Sequence, residues 1–217
     1  RTMCMKEAQD LAAELYGADA TYFMINGTTG AIHTMLLAAL QPGDVVLVPR
    51  NAHRSMLGGL ILAGAVPVFI QPEIDTVLGL AMGLTPAAVR TAIAAHPEAR
   101  ALALVYPTYY GVASDLASIA QLVHAADMLL LVDEAHGPHL RFSSRLPKQA
   151  LDCGADLVAQ STHKIIGSLT QTSMLHVRAG RVDLERVRSA ASLLQSTSPN
   201  YLLLASLDIA RLQMAES

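Results

Sequence analysis

Only two cysteines, Cys4 and Cys153, occur in the 217 residues. That excludes a disulfide scaffold and fits a reducing, cytoplasmic setting. Charge is also scarce. Asp, Glu, Lys and Arg make up 15% of the chain, and 15 basic against 18 acidic residues leave a net charge of -3. No basic footprint for nucleic acid or an anionic membrane surface results. With 52% hydrophobic residues, the composition excludes a disordered polyelectrolyte. Apolar stretches are broken by Gly, Pro or charge before the ~20 residues a membrane-spanning helix requires. No charged leader with an apolar core opens the chain. It begins Arg1-Thr2-Met3-Cys4 in mid-pattern, so further sequence upstream is expected.

What is present is an alternation of short apolar runs and helical patterns. Strands are predicted at Tyr22–Ile25, Val45–Val48, Val66–Ile70, Ala101–Val105, Met128–Val132 and Asp156–Gln160. Helices are predicted at Leu11–Tyr16, Thr28–Leu40, 54–63, Pro86–Ala95 and Asp115–Ala126. The strands are continuously apolar rather than alternating. That pattern predicts an α/β fold with a parallel sheet covered by helices on both faces. From Ser168 the alternation weakens, with a strand at Met174–Val177 and helices at Leu184–Ser192 and Tyr201–Met214. Such sheets place their sites beyond the carboxyl ends of the strands. The polar clusters fall there: Asn26-Gly27-Thr28-Thr29, Asn51 to Ser55, Pro107 to Gly111, and Asp133 to His136.

Asn26-Gly27-Thr28-Thr29-Gly30 joins a strand to a helix. Free amides at a helix start, with two hydroxyls, suit one phosphate group; a plain Gly turn with an N-cap is the simpler alternative. Asp133-Glu134-Ala135-His136 matches a helicase box, but no phosphate-binding Gly-x-x-x-x-Gly-Lys-Ser/Thr loop accompanies it, so that function is rejected. Asp133, His136 and His139 are of zinc-ligand type, but no further ligand set stands out, and no metal is expected. Lys164 ends Ser161-Thr162-His163-Lys164, and the next charged residue is Arg178. A cation so isolated carries a desolvation cost unless it is used or paired; a snorkelling surface lysine is the alternative. His53 follows a strand and offers a flat ring. His33, His96, His124 and His176 fall outside the strand-end clusters and are expected to be structural or exposed. A phosphate cradle, an imidazole face, a strand-end carboxylate and an isolated lysine together are what pyridoxal phosphate needs.

With these motifs the chain resembles the ornithine/lysine/arginine decarboxylase family, of the aspartate-aminotransferase fold group. The matching text is Asn26 to Gly30, Pro49 to Ser55, Pro107 to Gly111, Asp133 to Gly137, Ser161 to Lys164 and Ser196 to Tyr201, and it runs along essentially the whole chain. The resemblance implies a three-layer αβα sandwich with a mostly parallel seven-stranded sheet, the fold of pyridoxal-phosphate-dependent transferases. It implies that Lys164 forms the Schiff base, that Asp133 pairs with the pyridine nitrogen and that His53 stacks on the ring. Thr28 and Thr29 would bind the phosphate, and Ser161 and His163 would contact the cofactor beside the lysine. Ala135 would pack on the ring face opposite His53, with His136 near the phenolic edge. Ser196 and Thr197 would reach a partner subunit's phosphate site, so a homodimer is implied.

The implied activity is decarboxylation of arginine, lysine or ornithine. Tyr109, Tyr110 and an inward-pointing Glu134 are the candidates to meet the substrate's cationic end. An aminotransferase, aldolase or β-lyase of the same fold, and a truncated chain that binds cofactor without turnover, are the alternatives. Residues 1–217 would form the cofactor-binding large domain, with a small domain expected beyond residue 217.

Overall fold

The computed structural model describes residues 3–216. Nine helices and nine strands follow one another along them. Helix α1 (Met3–Tyr16) leads to β1 (Ala20–Met24), α2 (Gly27–Ala39), β2 (Val45–Pro49), α3 (Arg54–Ala63) and β3 (Val66–Ile70). A hairpin of β4 (Ile74–Asp75) and β5 (Leu80–Ala81) precedes α4 (Pro86–Ala95), β6 (Ala101–Val105), α5 (Leu116–Ala125) and β7 (Leu129–Glu134). One-turn α6 (Ala150–Cys153), β8 (Leu157–Gln160), one-turn α7 (Thr162–Ile165) and β9 (Ser173–Val177) come next, then α8 (Leu184–Leu194) and α9 (Tyr201–Ala215).

Local chemistry sets the helix ends. Thr85 accepts a hydrogen bond from the Ala88 N–H and Pro86 opens α4, where its missing N–H costs nothing. Asp115 caps α5 through the Ser118 N–H. Gly64 closes α3 at φ +66, a left-handed conformation that favours glycine.

Seven strands form one sheet in the order β1-β9-β8-β7-β6-β2-β3. Pairings are parallel from β3 through β8, and only β9 runs the other way, antiparallel to both β8 and β1. Six strands therefore end at one edge. The alternation expected from sequence weakens after Ser168 because β9 doubles back beside β8 without a full crossover helix. The β4–β5 hairpin was not legible. Two-residue strands are too short to show a period; their turn is held instead by Asp75, which accepts from the Val77 and Leu78 N–H groups at 2.9 Å.

Alternate residues of each strand feed two cores. Leu130, Val132, Val158 and Met174 pack on one face with α1, α4, α5, α6 and α9. Leu129, Leu131, Ala159 and Leu175 pack on the other with α2, α3 and α8. The result is the three-layer αβα sandwich, with a mostly parallel seven-stranded sheet.

Candidate active site at the carboxyl edge of the sheet

Strand alternation turns Asp133 to the face of α2 and α3, whose first residues also lie at the carboxyl edge. Helix α2 begins uncapped: Asn26 makes no side-chain hydrogen bond at its N-terminus, so its first N–H groups lack the usual acceptor. Gly27 holds φ +66 and donates its N–H to the Gln171 carbonyl at 2.7 Å. Beside it the Thr28 hydroxyl is buried with no hydrogen-bond partner. Thr29 is exposed on the same turn. A helix start with spare donors and an orphaned buried hydroxyl fits a phosphate group.

His53 is the N-cap of α3. Its Nδ1 accepts from the Ser55 N–H at 3.2 Å and lies 2.7 Å from the Ser55 Oγ, which fixes the ring at the helix start. Partial loss of water around the ring, then the Lys164 and Arg54 cations, lower its pKa. Asp133 is buried, and one of its oxygens accepts from the Ala135 N–H at 3.1 Å. Burial pushes its carboxyl up to about 6, against the opposing pull of that bond and of Lys164. Ala135 itself is buried at the turn.

Lys164 lies on α7. It is exposed rather than desolvated, as are Ile165, Leu169 and Thr170 in the same uncharged segment. Its Nζ is 3.3 Å from His136 Nε2. Desolvation, then Lys164 and His53, lower the His136 pKa, so these three groups share one electrostatic neighbourhood. Next to the lysine, His163 donates its Nδ1–H to the Thr172 carbonyl at 2.7 Å and stands 3.4–3.5 Å from the buried Ser161 Oγ. Tyr109 meets the His136 ring edge-on at 5.5 Å and Tyr110 at 5.3 Å; both tyrosines are exposed.

The structure thus brings Lys164, His136 and His53 into one neighbourhood with Asp133, with Ser161 and His163 beside the lysine and Thr28 at a neighbouring helix start. Ser196 and Thr197 do not join them. They sit on the exposed connection between α8 and α9 and border a separate groove of about 400 Å³ with Met5, Gln9 and Phe23. Among the described residues, no three His, Cys, Asp or Glu side chains gather as a metal site.

Glu134 departs from the expectation that it could point into the site. It is fully buried on the opposite face, where Oε1 accepts from the Ala150 N–H and Oε2 from Gln160 Nε2, both at 2.7 Å. Burial pushes it up to about 8, opposed by those two bonds. Gln160 Oε1 in turn lies 3.0 Å from His176 Nε2, and His176 Nδ1 lies 2.8 Å from Thr21 Oγ1. Sequence reasoning missed this ladder. Its only signal is that Thr21, Gln160 and His176 are polar residues on core-facing strand positions.

Solved structures of the same architecture extend to distant proteins: a serine palmitoyltransferase of Sphingomonas wittichii superposes with a TM-score of 0.76 at 16% identity, covering 98–99% of this chain as similar aminotransferases do and 51% of its own. This likeness defines the fold alone. Residues 2–217 match the family model described as Orn/Lys/Arg decarboxylase, major domain. The chain belongs to that family. It is 51% identical over 211 residues to arginine decarboxylase of Bacillus subtilis strain 168, covering 97% of this chain and 43% of that one. It is 34% identical to the lysine decarboxylase LdcA of Pseudomonas aeruginosa, covering 97% of this chain and 31% of that protein. The solved lysine decarboxylase A of that organism superposes with a TM-score of 0.87 at 30% identity, over 97% of this chain and 31% of that chain. The chain spans less than half the length of these relatives.

Proposed function

We propose that this chain is the cofactor-binding large domain of a pyridoxal-phosphate-dependent decarboxylase acting on arginine, lysine or ornithine. The observation that carries it is the joint placement of buried Asp133, Lys164 and the orphaned Thr28 hydroxyl at one sheet edge. The names of the relatives at about half identity favour arginine. When bound, pyridoxal phosphate would supply an electron sink for the carbanion left as CO2 departs.

The chain's own groups take the remaining tasks. Thr28, Thr29 and the free N–H groups of α2 hold the phosphate. Lys164 Nζ supplies the amine for covalent attachment. Asp133 stabilises a protonated ring nitrogen, since a nearby carboxylate favours the cation. His53, Ala135 and His136 would border the ring. Ser161 and His163 contact the cofactor beside the lysine. His163 Nδ1–H is committed to the Thr172 carbonyl, so Nε2 can return a proton to the substrate Cα only from the doubly protonated ring, a task Lys164 Nζ can share. With Glu134 turned away, the exposed faces of Tyr109 and Tyr110 are this chain's own means of meeting the substrate's cationic end.

Ser196 and Thr197 have no task within their own chain's site. They serve the phosphate site of a second copy, so the protein works as a homodimer. Free Cys4 and Cys153 fit a reducing cytoplasm, and no helix among the described residues is long and apolar enough to cross a membrane. A small domain beyond residue 217 completes the enzyme.

The test is borohydride trapping and CO2 release by the full-length, cofactor-loaded protein with each of the three amino acids. Cofactor trapped on Lys164, lost in Lys164→Ala, and CO2 from one substrate support the proposal. No CO2 from any of them would defeat it in favour of transamination or aldol cleavage.

A further inference from the structure

Two strand ends must keep a fixed distance if Asp133 and Lys164 are to hold one ring between them. β7 carries Asp133, and β8 runs directly into the turn that carries Lys164. Their register pairs Asp133 with Ala159 and Glu134 with Gln160, so Glu134 and Gln160 are the last cross-strand pair before both strands leave the sheet. Both side chains are fully buried. They are joined at 2.7 Å, and the other Glu134 oxygen takes the Ala150 N–H at the start of α6. The Gln160 carbonyl is also held, by the Ser173 hydroxyl of β9 at 2.7 Å.

We propose that Glu134 is a positioning residue, whose bond to Gln160 fixes the strand end bearing Asp133 against the strand end bearing Lys164. This rests on the roles given to those two residues above. The ladder behind Glu134 has a direction. Once ionised, above about pH 8, Glu134 accepts at both oxygens, so Gln160 presents its N–H2 to Glu134 and its oxygen to His176. His176 must then carry its proton on Nε2 and accept at Nδ1 from the Thr21 hydroxyl. Three side chains on three further strands, Gln160, His176 and Thr21, are oriented by one carboxylate.

Glu134→Gln keeps the shape but puts a donor where an acceptor stood. If it still accepts from Ala150, its N–H2 faces Gln160, whose amide must turn over. His176 then meets an N–H2 at Nε2 and must move its proton to Nδ1, which donates to Thr21. Nitrogen NMR of the ring in the full-length protein, recorded above pH 8 where Glu134 is ionised, reads this directly, with or without cofactor. The expected result is a switch of the His176 tautomer in Glu134→Gln, and an unchanged tautomer would overturn the directional coupling.

The positioning role is read in the pyridoxal-phosphate-loaded protein. Glu134→Ala should lower kcat by about a hundredfold with KM for the amino acid unchanged, and Glu134→Gln should recover most of that loss, as expected when a preorganised geometry is loosened and then restored. Val123→Ala, in α5 of the same core layer, serves as a control for lost stability, with kcat unchanged. Wild-type kcat in Glu134→Ala, or an equal loss in Val123→Ala, would overturn the positioning role. Absence of trapped cofactor on Lys164 in the unmodified protein would instead overturn the assigned function, while the tautomer result stands apart from it.

Discussion

Asp133 and Glu134 are consecutive, equally buried, and both pushed upward in pKa by the same loss of solvent. Strand alternation sends them to opposite faces of one sheet, and there their fates part. On the α2 and α3 face, Asp133 is held at one oxygen, among three basic side chains and two helix starts. On the α1 and α6 face, Glu134 is held at both oxygens within a closed ladder. A carboxylate with acceptor capacity to spare beside exposed loops is equipped for a ligand. One that is saturated by its own chain is an element of the framework. Burial and charge alone do not separate the two, and the hydrogen-bond inventory does.

The sharpest way to break this contrast is Asp133→Asn. The neutral amide cannot stabilise a protonated ring nitrogen, so decarboxylation in the loaded full-length protein should fall about a thousandfold or more, on the scale of removing a preorganised charge, with the fold retained. Steady-state kinetics beside a circular dichroism spectrum decides it. An active Asp133→Asn enzyme would place the working carboxylate elsewhere.

The pH dependence of stability sharpens the comparison further. In the unfolded chain Asp133 loses its proton near 3.8, and in the native, cofactor-free state near 6. Below about 4 both states hold the proton and no penalty exists. Between these values only the native state keeps it. Stability therefore falls as pH rises from about 4 to about 6, by ~3 kcal/mol. Glu134 extends the fall towards 8. In urea titrations, Asp133→Asn should flatten the lower part of the curve, and Glu134→Gln the upper part. A parallel offset at every pH in both variants would count against the buried, ligand-free carboxyls.

Gly137→Ala probes the framework face alone. A Cβ there would stand 2.6 Å from Glu134 Cγ and 3.0 Å from Leu140 Cδ1 and Pro107 Cδ. Overpacking of that kind costs ~1–3 kcal/mol. The urea midpoint should drop by the corresponding amount, and an unchanged midpoint would show that the Glu134 side chain is free to move aside.

The clustering of the candidate site at one sheet edge was legible in the sequence and the framework face was not. Asn26 to Gly30, His53, Asp133 and Lys164 lie at helix starts, a strand end and the one-turn helix after β8, where polar residues interrupt apolar runs and their spacing along the chain maps onto one sheet edge. Helix α4 was legible in full, since Pro86 and Thr85 mark its start by chain-local chemistry. Thr21, Gln160 and His176 are far apart in sequence and single within apolar strands, so only the sheet order shows that they touch. The orientation of Glu134 is of the same kind. One residue of register decides whether it faces the site or the core, and composition does not record register. The exposure of Lys164 was one of two alternatives that the sequence left open for a related reason: a segment poor in charge still turns some residues outward.

The smallest expected effect is also the one with the clearest sign. Thr28 has a buried hydroxyl with no partner, which is a cost in the cofactor-free state. Thr28→Val replaces it with a methyl of similar shape and removes no hydrogen bond present in the structure. The cofactor-free protein should therefore keep its stability or gain up to ~1 kcal/mol. With pyridoxal phosphate bound, the same change removes a donor from the phosphate, so affinity should weaken by about fivefold, again ~1 kcal/mol. A structural hydroxyl would give the reverse, with stability lost and affinity unaffected. Chemical denaturation without cofactor and equilibrium binding of cofactor, measured on the same pair of proteins, separate the two, and loss of stability with unchanged affinity would remove Thr28 from the phosphate site.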